Sequence, residues 1–176
     1  MQARRKPDLP SPVALRHAPA MGTLHQMTPD EDFSALYTLL RRAFAYMEGR
    51  IDPPSSMASM TVSDLRDAAR KHEVWVIEES NRPIASMILT PKPDTLYLGK
   101  LATSPTHRQE GLARELLQHA ETRARALGLG SITLQTRIEL IENHATFRAM
   151  GFTQIGETAH PGFDHPTSLT YRKTLD

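Results

Sequence analysis

Cysteine is absent from this chain of 176 residues. That excludes disulfides, thiolate zinc sites and a cysteine nucleophile. No apolar run is long enough to read as a bilayer-spanning helix. No apolar h-region marks a signal peptide, and the expected location is the cytoplasm. Neither sign of charge is in excess: 21 Lys and Arg face 20 Asp and Glu, a net charge of +1. No global field therefore argues for nucleic acid or an anionic membrane as partner. Two sharp phosphate signatures are also missing. No Gly-Lys-Ser/Thr makes a Walker loop, and the dinucleotide pattern lacks two of its glycines.

What is present suits one globular domain with a real core: 39% of residues are hydrophobic and 23% charged. The first 21 residues stand apart. Arg4-Arg5-Lys6 is a basic cluster, and Pro7, Pro10, Pro12 and Pro19 interrupt any regular element. The expected organisation is a disordered tail over 1–21 and a single domain over 22–176.

Seven strand-like runs and four helical patterns follow. The strands are expected at Thr23–Met27, Val74–Ile77, Ile84–Thr90, Thr95–Thr103, Ser131–Thr136, Phe152–Thr158 and Thr167–Lys173. Ser80-Asn81-Arg82-Pro83 is turn-like, so the second and third strands are expected to form a hairpin. Thr28-Pro29-Asp30-Glu31-Asp32 reads as a helix start, ahead of Phe33, Leu36, Leu39, Leu40 and Phe44 at helical spacing. A second helix is expected over Ser63–Lys71 with Ser63 as cap. A third has Leu112, Leu116, Leu117, Ala120, Ala124 and Leu127 on one face, Glu121 paired with Arg125, and Gly128 as its stop. The fourth runs from Glu142 to Met150 and is closed by Gly151. Strands and helices alternate irregularly, which gives an α/β or α+β sheet covered by helices. Trp75 and the Leu and Phe stripes are expected in the core.

The stretch Leu98 to Arg114 is the strongest functional signal. An apolar strand ends near Thr103. A proline turn follows, then Arg108-Gln109-Glu110-Gly111-Leu112-Ala113, then the long third helix. Helix N-terminal N–H groups have no intrahelical partner and carry partial positive charge. Gly111 and Ala113 have almost no side chain, so a phosphate could approach the backbone closely. The bland alternative is an ordinary strand-to-helix turn.

Arg108 to Ala113 resembles the Arg/Gln-x-x-Gly-x-Gly/Ala pyrophosphate loop of the GNAT N-acetyltransferase superfamily. Further on, Glu142-Asn143-His144-Ala145-Thr146-Phe147-Arg148-Ala149-Met150-Gly151-Phe152 is similar to its C-terminal signature, a helix ending in Gly-Phe. The two landmarks stand in the family's order, and the resemblance covers about Thr23 to Leu175.

The resemblance implies a mixed, mostly antiparallel central sheet of six to seven strands flanked by about four helices. It implies a sheet that splays after the fourth strand, with acetyl-CoA as co-substrate in the gap and no metal. Leu101, Ala102 and Thr103 would contact the acetyl and pantetheine groups through backbone. Arg108, Gln109, Glu110, Gly111, Leu112, Ala113 and Arg114 would wrap the pyrophosphate. The implied reaction is direct transfer of an acetyl group to a small-molecule or peptide amine. Dimers are common among such proteins, so a homodimer is a further expectation. The alternative is a non-catalytic acyl-CoA-binding or regulatory module.

One departure bears on mechanism. The family's usual Tyr, four residues before the Gly of Gly-Phe, is Phe147 here, and a phenyl ring donates no proton. Water would suffice for a thiol leaving group with a pKa of about 8.5; otherwise Tyr97, Tyr171 or a histidine takes the role. Asn143 would contact the pantetheine or cap its helix. A backbone N–H near Ala102 is the candidate oxyanion donor.

Glu139, just after the fifth strand, is the first candidate for general base; Tyr97 and His144 complete the catalytic candidates. Each has a structural reading beside it, a solvated loop acid or a helix-surface side chain. Glu48 and Asp52, between the first two helices, could attract an ammonium group. His160-Pro161-Gly162-Phe163-Asp164-His165-Pro166 could shape the amine pocket; it lacks a well-spaced third ligand for a metal.

Overall fold

A computed structural model describes residues 22–176. The expected tail over 1–21 lies outside the described residues. The chain runs β1 (Thr23–Met27), α1 (Ser34–Phe44), α2 (Val62–Lys71), β2 (Glu73–Glu79), β3 (Arg82–Pro91) and β4 (Leu96–Thr103). It continues with α3 (Leu112–Ala126), β5 (Ser131–Arg137), α4 (Ile141–Ala149), β6 (Thr153–Thr158) and β7 (Ser168–Thr174). The seven strands form one sheet in the order β1-β2-β3-β4-β5-β7-β6. All neighbours are antiparallel except β4 and β5. This is the mixed, mostly antiparallel sheet with four helices that the sequence implied. No helix among the described residues is long and apolar enough to cross a membrane.

Two cores sandwich the sheet. On one face Leu112, Leu116, Leu117, Ala120 and Ala124 of α3 pack on Met87, Leu89, Leu96 and Leu98. On the other, Leu36, Leu39 and Leu40 of α1 and Leu65 of α2 pack on Val74, Val76 and Ala102. The period of two along each strand sends alternate side chains to the two cores. Trp75 is only half-buried, with its indole N–H on Glu73 at 2.8 Å. Leu127, expected on the buried face of α3, is 42% exposed, because it sits at the C-cap where Gly128 turns the chain at φ 72°.

Local hydrogen bonds moved two helix starts. Thr28 does not begin α1. Its N–H and hydroxyl both donate to Glu31, and the Glu31 N–H returns to the Thr28 carbonyl. That closes an isolated turn. Asp32 then accepts from the Ser34 N–H, and the fully buried Phe33 anchors the true start at Ser34. α2 is capped by Thr61, not Ser63. Thr61 and Asp64 form a reciprocal capping box. The β2–β3 hairpin turns on Ser80 and Asn81, both at positive φ, while Arg82 and Pro83 already belong to β3.

Glu121 meets Arg125 at 3.8 Å as expected, but its shorter contact, 2.6 Å, is to Lys173 of β7. Arg123 of α3 binds Glu73 of β2 through two nitrogens, at 2.5 and 2.9 Å. The Arg123 guanidinium holds the Glu73 carboxyl below its usual range. A carboxylate depressed in the folded state stabilises above its unfolded pKa, and that contribution is lost as pH falls through the folded value. Arg123→Ala is therefore expected to cost about 1–2 kcal/mol near neutral pH. The gap from wild type should narrow progressively as pH falls below the usual carboxylate range and Glu73 takes up its proton in the folded wild type. Urea denaturation near neutral pH and near pH ~3 measures both.

Candidate active site

β4 and β5 pair only at Leu96–Ile132 and Tyr97–Thr133. Beyond that point the two parallel strands separate, and the β5-facing edge of β4 from Leu98 to Thr103 has no strand partner among the described residues. An unpaired strand edge is a row of free N–H and C=O groups. On the β3 side, Gly99 faces Ile88 and Ala102 faces Ser86. Two residues, Lys100 and Leu101, thus oppose Met87 alone, with Lys100 at φ 49°. That is a β-bulge, which bends the strand and leaves one residue outside the ladder.

The gap opens into a cleft of about 780 Å³. Its walls include Tyr97, Lys100, Leu101 and Thr103 of β4, Arg137 of β5, and Asn143 and Phe147 of α4. Tyr46 and the Ile51–Ser56 stretch close it from the α1–α2 side. That stretch is strapped to the β5–α4 junction. Arg50 pairs with Glu142 at 2.7 Å, the Asp52 N–H donates to Glu139, and Arg137 donates to the Pro53 carbonyl. Asn143 Nδ2 donates to the Tyr46 hydroxyl at 3.1 Å, close to the same strap.

Below the cleft, the loop from Arg108 to Gly111 is exposed and enters α3 through two left-handed residues, Gln109 (φ 66°) and Gly111 (φ 82°). No side chain among the described residues caps α3. The N–H groups of its first turn are thereby left to an anion or to water. A Cβ on Gly111 would meet nothing within 4 Å among the described residues. Ala113, the second residue of α3, lines the cleft. The unpaired β4 edge and the uncapped start of α3 therefore border the same cleft.

The sequence matches the model of the acetyltransferase (GNAT) family over residues 33–152. The chain belongs to that family. Solved GNAT-type structures share its fold at low identity. An acetyltransferase from Streptococcus agalactiae is 21% identical, with TM-score 0.67, covering 86% of this chain and 98% of its own. A Thermoplasma acidophilum N-acetyltransferase in complex with coenzyme A is 13% identical, with TM-score 0.73 and coverage of 87% and 98%. A GNAT family acetyltransferase from Elizabethkingia anophelis with acetyl-CoA bound is 15% identical, with TM-score 0.63 and coverage of 87% and 97%. The family's general chemistry is acyl-CoA-dependent acetyl transfer.

Within this GNAT frame the sequence candidates separate. Tyr97 lines the cleft, its ring lying over Gly99 at 3.4 Å from where a Cβ would stand. Burial pushes its phenol up, so it remains protonated. Glu139 and His144 are not among the lining residues. Glu139 is half-buried, with Oε1 on the Asp52 N–H and Oε2 enclosed without a partner among the described residues. His144 is buried, with Nε2 donating to the Arg137 carbonyl. Tyr171 is wholly buried, its hydroxyl without a partner among the described residues.

Asn143 is no helix cap, because α4 already starts at Ile141 behind Leu140. Leu101 and Thr103 lie at the cleft, whereas Ala102 is 4% exposed and packs into the α1–α2 core. Glu48 and Asp52 are exposed and do not line it. Of the His160–Pro166 loop, only His160 lines the cleft, while Asp164 and His165 point to solvent. Among the described residues no cluster of His, Asp and Glu could hold a metal.

Among the lining residues that were not candidates in the sequence are Tyr46, Lys100 and Arg137. Their partners are 97, 44 and 84 positions away (Asn143, Ser56 and Pro53), so no local pattern marks them.

Proposed function

We propose that the protein transfers an acetyl group from acetyl-CoA directly to an amine of a small molecule or peptide. The observation that carries this is the one cleft bordered by the free β4 edge at the Lys100–Leu101 bulge and by the uncapped start of α3. In this reading Leu101 to Thr103 align the thioester arm through backbone, and Arg108 to Arg114 hold the pyrophosphate. Asn143 and Phe147 form the opposite wall. The bulge N–H faces the thioester oxygen as negative charge develops there.

The amine attacks the thioester carbon, the C–S bond breaks, and one amine proton is lost while the sulfur gains one. No carboxylate lines the cleft among the described residues. The amine's proton therefore leaves through water or to His72, a lining imidazole with no hydrogen bond among the described residues. Phe147 cannot supply the proton to sulfur. The Tyr46 hydroxyl can, since it accepts from Asn143 and keeps its own proton to donate. Tyr97 is the second phenol in reach. The contacts of Glu139 and His144 favour scaffold roles, holding the strap and the β5–α4 junction.

A second reading is a non-catalytic acyl-CoA module, favoured by Phe147 alone, whose ring packs edge-on against Phe152 at 6.0 Å. Calorimetric titration with acetyl-CoA, with ATP as comparison, tests the binding half. Thiol release across an amine panel tests the transfer half. Binding of acetyl-CoA and not ATP, with CoA released by at least one amine, is the expected result. Binding without any release selects the module, and no binding by the folded protein discards both.

A further inference from the structure

The cleft carries two basic side chains, Lys100 and Arg137, and, among the described residues, no Asp or Glu on its walls. Lys100 leaves β4 at the bulge and its Nζ donates to Ser56 Oγ at 2.5 Å. Arg137 ends β5. Its Nη1 donates to His160 Nε2 at 3.0 Å, and its Nη2 donates to the Pro53 carbonyl. Neither cation appears in any ion pair of the described residues. The Arg137 Nε is enclosed and has no partner among the described residues. Burial holds the Lys100 ammonium below its usual range.

Both cations are tied to one short piece of chain, Pro53 to Ser56. Three peptide units span at most ~11 Å, so the two charges share one end of the cleft. His160 adds no positive charge where it meets Arg137: Nε2 accepts there, and Nδ1 carries the proton toward Thr167 Oγ1. The acids of this region are engaged or directed elsewhere. Glu142 pairs with Arg50, Glu139 holds the Asp52 N–H, and Glu48 and Asp52 face solvent.

A half-buried cation with only neutral partners is costly, and an arriving anion recovers that cost. A polycation entering the same space meets two like charges. We propose that the acceptor is an amine that also carries a carboxylate, of amino-acid size, with Lys100 and Arg137 receiving the carboxylate. This rests on the reading of the cleft as an acetyl-transfer site.

The test is steady-state thiol release by the full chain with acetyl-CoA. The acceptors are standard L-amino acids, their C-terminal amides, and spermidine. An amide's amine is less basic than its parent's, so more of it is neutral near pH 7. A preference for the acid therefore cannot come from amine availability. The expected kcat/KM favours the acid of the best pair by about 10- to 100-fold, with spermidine poorer still. Lys100→Met keeps the stem and removes the charge; it should collapse the acid-to-amide ratio toward unity, chiefly through KM of the acid. Lys100→Arg should retain most of the ratio.

Amides or spermidine equal to or better than the acids would overturn the proposal. So would a Lys100→Met protein that loses the same factor on both members of a pair, or acetyl-CoA binding with no carboxylate-bearing amine turned over. Absence of acetyl-CoA binding in a folded sample is a different failure, that of the acetyl-transfer reading itself.

Discussion

Gly111→Glu is expected to abolish acetyl-CoA binding and leave the fold standing. Gly111 precedes α3 at φ 82° and is exposed, with open space around its missing Cβ. A non-glycine residue there costs roughly 1–2 kcal/mol of backbone strain. A carboxylate at a helix N-terminus returns roughly 0.3–1 kcal/mol of that. The same carboxylate competes with the pyrophosphate for the free N–H groups of Leu112, Ala113 and Arg114, and repels it. A loss of at least ~100-fold in affinity, about 2.7 kcal/mol, follows. Thermal unfolding should show a drop of only a few degrees. Gly111→Asn, which tolerates the left-handed conformation without adding charge, should bind within several-fold of wild type. Normal calorimetric affinity in folded Gly111→Glu protein would show that this loop does not hold the pyrophosphate.

That loop was legible because everything it needs is local. A strand run, a proline turn, small residues and an amphipathic stripe lie within Leu98–Ala126 in the order they are used. The seven strands and four helices were legible for the same reason, since periodicity records which face is buried. Two helix starts were misread where side chains competed for the backbone. Thr28 and its acids satisfied one another in a turn, and Thr61 with Asp64 formed a capping box two residues ahead of Ser63, the expected cap. The bulge at Lys100 left no mark, since one extra residue in a strand changes no composition. The acceptor side was least legible. Its walls come from Tyr46, the 51–56 stretch, Arg137 and Asn143, which only the tertiary fold brings together. Glu139 illustrates the difference: its place after β5 suggested a base, yet its carboxylate turns to the Asp52 N–H.

Tyr46→Phe is expected to lower kcat by about 10- to 100-fold while KM for acetyl-CoA changes little. The effect lies below the upper range for general acids because a thiolate is itself a tolerable leaving group. Asn143 and Phe147 stand four residues apart on α4, so their Cβ atoms lie about 5–6 Å from one another. Both line the cleft. The Tyr46 hydroxyl, bonded to Asn143, therefore reaches the region that a phenol at position 147 would occupy. Removing the hydroxyl leaves the Asn143 amide short of one acceptor, at a cost of about 1 kcal/mol in stability. A merely structural role would move only that.

The discriminating variant is Phe147→Tyr, at a half-buried ring that lines the cleft. In the wild-type background it should change kcat by no more than a few-fold, since a donor is already present. In the Tyr46→Phe background it should restore most of the lost rate, as the proton reaches sulfur from the other wall. If Tyr46→Phe keeps full kcat, water protonates the thiolate and Tyr46 is a strut between α1 and α4. If it loses kcat and Phe147→Tyr does not restore it, the proton comes from another donor, and Tyr97→Phe becomes the variant that must fail.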